Sequence, residues 1–337
     1  MSLSNKIPIT IVTGCLGSGK TTLLRNLLKD SELSRSTAVI VNEFGKIGLD
    51  HHLLTQTDEK TVLLNGGCIC CNSREDLVNE LNAYLTKIEK NEAPINRIII
   101  ETTGMANPAP ILFTVVTNPL LQHHFYIDCV ITTVDAKNGL LHLRKNPEMM
   151  KQVTAANKIV LTKSDIATKD EQESILTQLK NINPTCEVQE AIYGNIDPSI
   201  IVGGGSKSLA LTNGNLSEDP TNHLSSDIQS ISFTFKKPLD WTAFGLWLSM
   251  LLHAQGENVL RVKGLLDVGE KGPIVLNGVQ HIIHPPEHLD EWPEGEKHSH
   301  LIFILRSIEP LQIKDSLTTF QEFLNTEVEV LEHNAVM

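Results

Sequence analysis

A glycine-rich segment near the start of the chain carries residues suited to binding phosphate. Residues 14–21 read Gly-Cys-Leu-Gly-Ser-Gly-Lys-Thr, and the glycines allow successive backbone N–H groups to turn toward one anion. Lys20 supplies a mobile positive charge for the β- and γ-phosphates, and the Thr21 hydroxyl can bind Mg²⁺. The pattern predicts a nucleoside triphosphate site formed by Gly14, Cys15, Leu16, Gly17, Ser18, Gly19, Lys20, Thr21 and Thr22.

An acidic residue that follows an apolar run completes the predicted phosphate site. Residues 98–100 are three isoleucines, and Glu101 comes directly after them. A carboxylate at this place can reach Mg²⁺ directly or through water. Three residues later, the N–H of Gly104 can turn toward the γ-phosphate and respond to its loss. We therefore predict a catalytic set of Lys20, Thr21, Glu101 and Gly104.

A later segment has the residue types that recognise guanine. Thr162, Lys163 and Asp165 follow the apolar residues 159–161. The Asp165 carboxylate can accept hydrogen bonds from guanine N1–H and N2–H₂ together, a pair of donors that adenine lacks, and the Lys163 stem can lie along the base. GTP is therefore the predicted nucleotide, and an ordinary polar turn is the alternative interpretation of this segment.

Three thiols within four positions form a candidate metal site. Cys68, Cys70 and Cys71 follow Gly66 and Gly67, which allow a tight turn. Thiolates suit Zn²⁺, with Co²⁺ or Cu(I) as alternatives. Three sulfurs leave a fourth position for water, another side chain or a partner protein. A redox thiol pair and plain packing cysteines are the alternatives.

Other candidate metal ligands are a carboxylate and several histidines. Glu43 follows the second predicted strand, where it can approach the thiols or the nucleotide or remain a surface carboxylate. Neighbouring histidines are either metal ligands or solvent-facing loop residues, and the pairs are His51 with His52, His123 with His124, and His298 with His300. The last pair is predicted to share one face of a strand, as a chelate requires.

Alternating strands and helices must bring these residues together. Apolar runs predict strands at residues 7–12, 37–41, 61–64, 98–100, 129–134, 159–161 and 186–188. Helical leucine spacing follows the glycine-rich segment, recurs over residues 73–89 and returns near residues 175–182. Continuous apolar strands separated by helices predict an α/β fold whose mostly parallel sheet is covered on both faces.

The second part of the chain has a different pattern. Residues 203–227 are rich in Gly, Ser, Asn and Thr and predict a linker. Apolar residues alternate over 231–235, a helical stripe begins at Trp241, and further elements are predicted at 259–268, 273–279, 301–305 and 312–324. The prediction is an α/β domain over residues 1–202, a linker over 203–227, and a smaller α+β domain with an antiparallel sheet over 228–337.

Composition narrows the class of protein. The 28 Lys and Arg residues against 40 Asp and Glu give a formal net charge of −12, which disfavours a nucleic-acid surface. No apolar stretch has the length of a membrane span, and the first residues lack the apolar segment of a secretory signal. Clustered thiols among six cysteines are typical of a reducing compartment, so we expect a cytoplasmic protein.

Taken together, these motifs resemble the CobW-type family of metal-associated P-loop GTPases. The matching segments occur in the family's order at residues 14–22, 42–45, 67–71, 101–104 and 162–165, with further likeness to its C-terminal domain at 261–264 and 301–304. Two positions depart from the pattern. Cys15 stands where members usually carry an aromatic residue, and Lys46 stands where many have Glu, so no metal ligand is expected at 46.

The resemblance implies a P-loop GTPase domain with slow GTP hydrolysis coupled to metal binding. It also implies metal delivery to a client metalloprotein or a role in metal homeostasis. The predicted ligands are GTP, Mg²⁺ at Thr21 and Glu101, and Zn²⁺ or a similar transition ion at the thiols with Glu43; an oligomer is possible. The alternatives are a metal-buffering protein with a structural nucleotide, a redox switch, and a small-molecule kinase, although residues 105–150 contain a single arginine, Arg144.

Overall fold

The computed structural model describes residues 6–42, 61–64, 73–92, 94–201, 227–293, 297–323 and 330–336. The chain divides into two compact units, one comprising Met1–Gln178 with Cys186–Ser208 and the other Leu179–Thr185 with Leu209–Met337. Within the described ranges, no helix is long and apolar enough to cross a membrane.

The first unit contains a seven-stranded sheet in which all paired strands run parallel. Its strands are β1 Ile7–Gly14, β2 Thr37–Asn42, β3 Thr61–Leu64, β4 Arg97–Glu101, β5 Phe125–Asp135, β6 Lys158–Thr162 and β7 Glu187–Ala191. Their order is β3-β2-β4-β1-β5-β6-β7. The predicted α/β fold is thus confirmed, although several strands extend beyond their apolar runs.

Helices connect these strands. They are α1 Lys20–Leu27, α2 Ser31–Ser36, α3 Ser73–Glu89, α4 Ala109–Thr117, α5 Pro119–His124, α6 Gly139–Lys145, α7 Pro147–Ala155 and α8 Lys169–Ile182. The helix predicted over residues 73–89 is confirmed, whereas α2 and α4 to α7 were not predicted. Helix α4 is apolar almost throughout and rich in β-branched residues, so its sequence resembles a buried strand.

The core of the first unit places α1 at the carboxyl end of β1. Leu23, Leu24 and Leu27 lie on one face of α1 and are fully or almost fully buried in a cluster with Val12 of β1 and Val39 of β2. Because this stripe anchors the helix on the sheet, the turn between β1 and α1 is held at the sheet edge. The N-terminus of α1 therefore points at the predicted phosphate site.

The second unit contains an antiparallel sheet and two helices. Its strands are β8 Ile228–Phe235, β9 Val259–Leu266, β10 Ile274–Val279, β11 Ile282–Ile283, β12 Glu287–His288, β13 Ser299–Arg306 and β14 Val330–Val336. The order is β11-β10-β9-β13-β8-β14, with β12 against β10. Helices α9 Trp241–Gln255 and α10 Pro310–Phe323 complete the described part, which confirms the predicted α+β class.

Aromatic side chains form the centre of the second unit. Phe233 and Phe303 lie on neighbouring strands with ring centroids 6.2 Å apart, and Trp247 of α9 meets Phe303 edge-on at 6.1 Å. Strand β14 was not predicted, because Glu332, His333 and Asn334 interrupt its apolar pattern. In the structure, its pairing with β8 shifts register between His333 and Val336.

Candidate functional site

The turn after β1 has the backbone of an anion cradle. Gly14, Gly17 and Gly19 have φ angles of 140°, 75° and 93°. Residues that carry a Cβ atom rarely adopt these backbone conformations. A Cβ atom at Gly14 would also lie 2.3 Å from Thr133 Oγ1. Glycine at this position is therefore required both by the backbone angle and by the close approach of β5.

Lys20 lies over the loop that precedes it. Its side chain is buried, with 8% exposed, and Nζ donates to the carbonyl oxygens of Gly14 at 2.9 Å and Cys15 at 3.1 Å. These contacts hold a positive charge at the mouth of the cradle, as the sequence predicted. The arrangement suits a polyphosphate, whose oxygens can replace weak carbonyl acceptors.

Two oxygen ligands meet beside the cradle. The Thr21 hydroxyl donates to Glu101 Oε1 at 2.7 Å, and Glu101 is buried at the end of β4, paired in register with Val12 of β1. A hydroxyl and a carboxylate are hard donors of the kind Mg²⁺ prefers. The residues therefore fit the predicted magnesium ion, and the tertiary contact joins two motifs that lie 80 positions apart.

The segment after Glu101 touches the phosphate-binding loop directly. A Cβ atom at Gly104 would lie 2.4 Å from the backbone nitrogen of Leu16 and 2.6 Å from its Cα. Only glycine permits this approach without displacing one of the two loops. The structure thus places Gly104 directly against the phosphate-binding loop.

Hydroxyl groups cross-link the loop to two strands. Ser18 Oγ lies 2.6 Å from Thr133 Oγ1 of β5, and the Thr162 hydroxyl donates to the Ser18 carbonyl at 2.7 Å. All three side chains are buried. Thr162, predicted to read the base, is therefore bonded to the phosphate-binding loop through its hydroxyl.

A buried carboxylate that sequence reasoning missed holds Lys163. Asp135 ends β5, and its Oδ2 lies 2.8 Å from Lys163 Nζ. The backbone N–H groups of Lys137 and Asn138 donate to Oδ1 at 2.8 and 3.0 Å. Burial alone would raise the pKa of Asp135, but the hydrogen bonds from Lys163 and Asn138 outweigh it and lower the pKa, so the carboxyl stays ionised.

The signal for Asp135 lay in its position. It ends a strand that neighbours β6 in the sheet, as Glu101 ends a strand that neighbours β1. Because the carboxyl ends of parallel strands meet at one edge of the sheet, an acidic residue at the end of an apolar run indicates a residue of the site. The pairing of Asp135 with Lys163 could not be predicted in this way, because Lys163 has a left-handed backbone φ of 58° that only the folded turn reveals.

The residues predicted for the base site differ in burial: Thr162 is buried, Lys163 is half-buried and Asp165 is exposed. Asp165 lies on the short 3₁₀ turn Ser164–Ile166 and is exposed. A second loop, absent from the sequence prediction, follows β7: Tyr193 is 77% exposed, and its carbonyl accepts a hydrogen bond from Asn26 of α1. A Cβ atom at Gly194 would lie 2.9 Å from the Thr22 carbonyl, so this loop packs directly on α1.

The loop after β7 was not predicted, because the sequence pattern placed the end of that strand too early in the chain. The predicted strand ended at residue 188, whereas β7 continues to Ala191. Residues 193–195, Tyr-Gly-Asn, have the composition of a turn. A strand that ends at Ala191 places this turn at the carboxyl edge of the sheet.

The thiol within the phosphate-binding loop is buried. Cys15 Sγ lies 3.8 Å from Asn146 Nδ2. Burial raises the pKa of Cys15, with the Asn146 contact and the charge of Lys20 acting in the opposite direction. The neutral thiol therefore acts as a packing group in this structure.

The predicted metal ligands Glu43, Cys68, Cys70 and Cys71 lie outside the described residues, as do His51 and His52. Within the described part of the chain, no group of three or more His, Cys, Asp and Glu side chains is placed to bind a metal.

The remaining histidine pairs have other surroundings. His123 and His124 end α5. His300 lies in β13 with Nδ1 3.1 Å from Thr234 Oγ1, whereas β13 begins at Ser299 and leaves His298 outside it. The predicted placement of His298 and His300 on one strand is therefore wrong.

Comparison with known families identifies the architecture. The model of the CobW/HypB/UreG nucleotide-binding domain matches residues 8–190. The chain belongs to the CobW/HypB/UreG family. A second model, the cobalamin synthesis protein cobW C-terminal domain, matches residues 228–321. The resemblance drawn from the motifs is confirmed, and this CobW-family chain is a GTPase.

Individual relatives carry names that refer to zinc. The chain is 32% identical over 305 residues to the zinc chaperone YjiA of Escherichia coli, covering 89% of this chain and 94% of that protein. It is 31% identical over 203 residues to the zinc-regulated GTPase metalloprotein activator 1 of Schizosaccharomyces pombe, covering 58% of this chain and 48% of that one.

Two solved structures of a relative share the fold. The crystal structure of Zn(II)-bound YjiA GTPase from E. coli superposes with a TM-score of 0.69 at 27% identity, covering 94% of this chain and 99% of that chain. A Zn(II)-bound triple mutant of YjiA, with one glutamate and two cysteines replaced by alanine, gives a TM-score of 0.71 at 26% identity over the same shares.

Proposed function

We propose that this CobW-family GTPase carries a transition metal ion, Zn²⁺ in the first instance, and that GTP hydrolysis gates transfer of the ion to a client metalloprotein. The strand order carries the proposal. Strands β3, β2, β4 and β1 are consecutive neighbours in the sheet. Parallel strands end at one edge of the sheet, and there Glu101 ends β4 and the phosphate-binding loop follows β1. In the sequence, Glu43 follows β2 and the three thiols follow β3.

GTP would bind in the cradle formed by residues 14–22. Lys20 would neutralise phosphate charge, while Lys163 and Asp165 would contact the base and Thr162 would hold the loop that carries the phosphates. The contacts of Lys20 and Thr162 described above support these roles. The buried Asp135 supports Lys163 by holding its ammonium group in place.

Thr21 and Glu101 would hold Mg²⁺. When bound, Mg²⁺ supplies positive charge that offsets the charge on the phosphates. The chain's own residues then provide the remaining functions: Lys20 orients the phosphates, and the N–H of Gly104 responds to the γ-phosphate. The close approach of Gly104 to the Leu16 backbone supports this coupling.

The cargo ion would bind to Cys68, Cys70 and Cys71 with Glu43 as a further ligand. The zinc-related names of the relatives support this choice of metal. The three residues replaced in the YjiA variant, one glutamate and two cysteines, are of the same types as the ligands proposed here. Because that variant is still described as Zn(II)-bound, retained zinc does not by itself identify a site, and affinity has to be measured in each nucleotide state.

A link between the two sites has a thermodynamic consequence. If GTP tightens metal binding by some factor, metal must tighten GTP binding by the same factor. Order imposed by the γ-phosphate near Gly104 would hold the thiol segment in its binding geometry, and hydrolysis would release it.

The test is Zn²⁺ affinity, measured by competition with a chromophoric chelator. It compares the protein in GDP–Mg²⁺ with the protein in a non-hydrolysable GTP analogue and Mg²⁺. A variant with Cys68, Cys70 and Cys71 replaced by Ala is the control for binding by the 13 histidines. We expect tighter binding in the GTP state and its loss in the variant. Equal affinity in both states would contradict gated delivery and favour a metal buffer.

We also propose that the GTPase domain ends at residue 202 and that residues 203–227 link it to a C-terminal domain over 228–337. The two family matches, over residues 8–190 and 228–321, support these boundaries.

A further inference from the structure

A glutamine outside all the motifs contacts the turn that carries Gly104. Gln152 lies on α7 and is 0% exposed. Its Nε2 donates to the Ala106 carbonyl at 2.9 Å and lies 3.4 Å from the Gly104 carbonyl. Gln152 has a second hydrogen bond that does not involve its amide, in which its main-chain carbonyl accepts from the Thr132 hydroxyl of β5 at 2.8 Å.

The turn itself is a compact unit. The N–H of Ala106 donates to the Thr103 carbonyl at 3.2 Å. Before the turn, the N–H of Thr102 donates to the Val12 carbonyl of β1 at 2.9 Å. One end of the segment is thus bound to the sheet, and the Gln152 amide secures the other end through two carbonyls. Since peptide groups are planar, holding the Gly104 and Ala106 carbonyls restricts the N–H groups of the residues that follow them. The Gly104 N–H shares its peptide plane with the Thr103 carbonyl, which the turn itself holds through the Ala106 N–H. The amide therefore acts on the turn over residues 103–106 as a unit.

We propose that Gln152 is a positioning residue for GTP hydrolysis, because its amide sets the orientation of the turn over residues 103–106. The proposal rests on the role of Gly104 in the proposed function. The turn lies against the Leu16 backbone of the phosphate-binding loop and contacts the Gln152 amide on α7. Because the amide contacts the Gly104 carbonyl itself, displacement of Gly104 toward the γ-phosphate changes this contact, and Gln152 thereby influences the orientation of the turn.

The chemistry of the contact requires an amide. Both partners are carbonyl oxygens, so only a donor can satisfy them. Among the residues that the structure describes, Gln152 Oε1 has no hydrogen-bond partner, so the contacts of this amide with the turn are made by Nε2 alone. A methionine would fill the space but leave both carbonyls without this donor, and an ionised glutamate would repel them.

The experiment measures single-turnover GTP hydrolysis, together with the affinities for GDP and a non-hydrolysable GTP analogue. For Gln152→Met we expect about a tenfold lower hydrolysis rate constant and about a fivefold loss of preference for the GTP analogue over GDP. GDP affinity should change less than twofold. Thr132→Val is the matched control, since it removes the other hydrogen bond to the same residue and leaves the amide in place, so its hydrolysis should remain within twofold of the wild type.

A second variant keeps the test decisive if Gln152→Met does not fold. In the Gln152→Glu variant, the introduced carboxyl group can donate a hydrogen bond only when it is protonated. The GTP hydrolysis rate of this variant relative to the wild type should therefore rise as the pH is lowered. A merely structural role would give Gln152→Met and Thr132→Val equal effects, or would weaken GDP and GTP binding alike, and either result overturns the proposal. Those results leave gated zinc binding intact, whereas equal zinc affinity in both nucleotide states overturns only the proposed function.

Discussion

The phosphate end and the base end of the candidate site differ in how their side chains are held. At the phosphate end, Ser18, Lys20 and Glu101 are buried, and each is hydrogen-bonded to another part of the first unit. At the base end, Asp165 is exposed on a short turn.

The phosphate end is therefore the part of the site that is formed before a ligand binds. Buried hydroxyls, a lysine and a carboxylate that already contact one another cost little further ordering when a ligand binds. An exposed carboxylate has no such support and gains its contacts from the ligand itself. We expect the phosphate end to determine affinity and turnover and the base end to determine which nucleotide is chosen.

The largest expected effect is at the phosphate end. Lys20→Ala removes the positive charge over the loop, and we expect GTP hydrolysis to fall by on the order of 100-fold or more, as is typical when a charge-stabilising donor is lost. Single-turnover release of phosphate is the measurement. Lys29→Ala, an exposed lysine two residues beyond α1, is the control and should stay within twofold of the wild type. Equal rates in the two variants would remove the distinction between the ends.

At the base end, the choice of nucleotide should change without loss of the fold. Asp165→Asn replaces an acceptor pair with one acceptor and one donor, so we expect GTP affinity to fall by about 10- to 100-fold, given about 1.5–3 kcal/mol for hydrogen bonds to a charged group. ATP affinity should not change, and xanthosine triphosphate, which has a carbonyl at C2, should bind better than to the wild type.

Competition against a fluorescent nucleotide gives all three affinities of the Asp165 variant. Asp170→Asn, an exposed carboxylate on α8, is the control. A parallel loss of GTP and ATP binding in Asp165→Asn would show that this end shapes the cradle instead of reading the base.

The contact between the two ends can be cut by one substitution. Thr162→Val removes the hydroxyl that donates to the Ser18 carbonyl. We expect about 1–2 kcal/mol lower stability, because a buried acceptor loses its donor, and several-fold weaker GTP binding. Thr162→Ser keeps the hydroxyl and should retain most of both. Urea unfolding and nucleotide titration are the measurements, and identical behaviour of the Val and Ser variants would be inconsistent with a positioning role.

The smallest expected effect concerns the support of Lys163, and it depends on pH. The pKa of Asp135 is lowered in the folded protein, so its stabilising contribution is complete above the unfolded value of about 3.9 and is lost as the pH falls through the folded value. Asp135→Asn should cost about 1 kcal/mol at pH 7, since the partner Lys163 is partly exposed to solvent.

Urea unfolding of the wild type and Asp135→Asn at pH 7 and at pH 3 measures this difference. We expect the two proteins to converge at the lower pH. A gap that is the same at both values would mean that the carboxyl is not held ionised by its hydrogen bonds.

Prediction succeeded best where local residues determine local structure. The glycine-rich turn, the leucine face of α1 and the helix over residues 73–89 follow from residue type and spacing, and the structure confirms each. Helix α4 was missed because an apolar segment without a polar face has no helical signature. Its packing against the rest of the first unit, where Ile111, Leu112 and Val115 are buried, decides its conformation.

The sequence by itself determined the chemistry of the phosphate-binding loop, the acidic residue that ends β4 and the division into an α/β and an α+β part. Tertiary structure alone decided that Thr162 bonds to the loop, that Asp135 holds Lys163 and that Gln152 contacts the turn after Glu101. The physical reason is distance along the chain. A loop motif acts through neighbouring residues, whereas these three contacts join segments 28 to 144 positions apart, and only packing of the sheet brings them together.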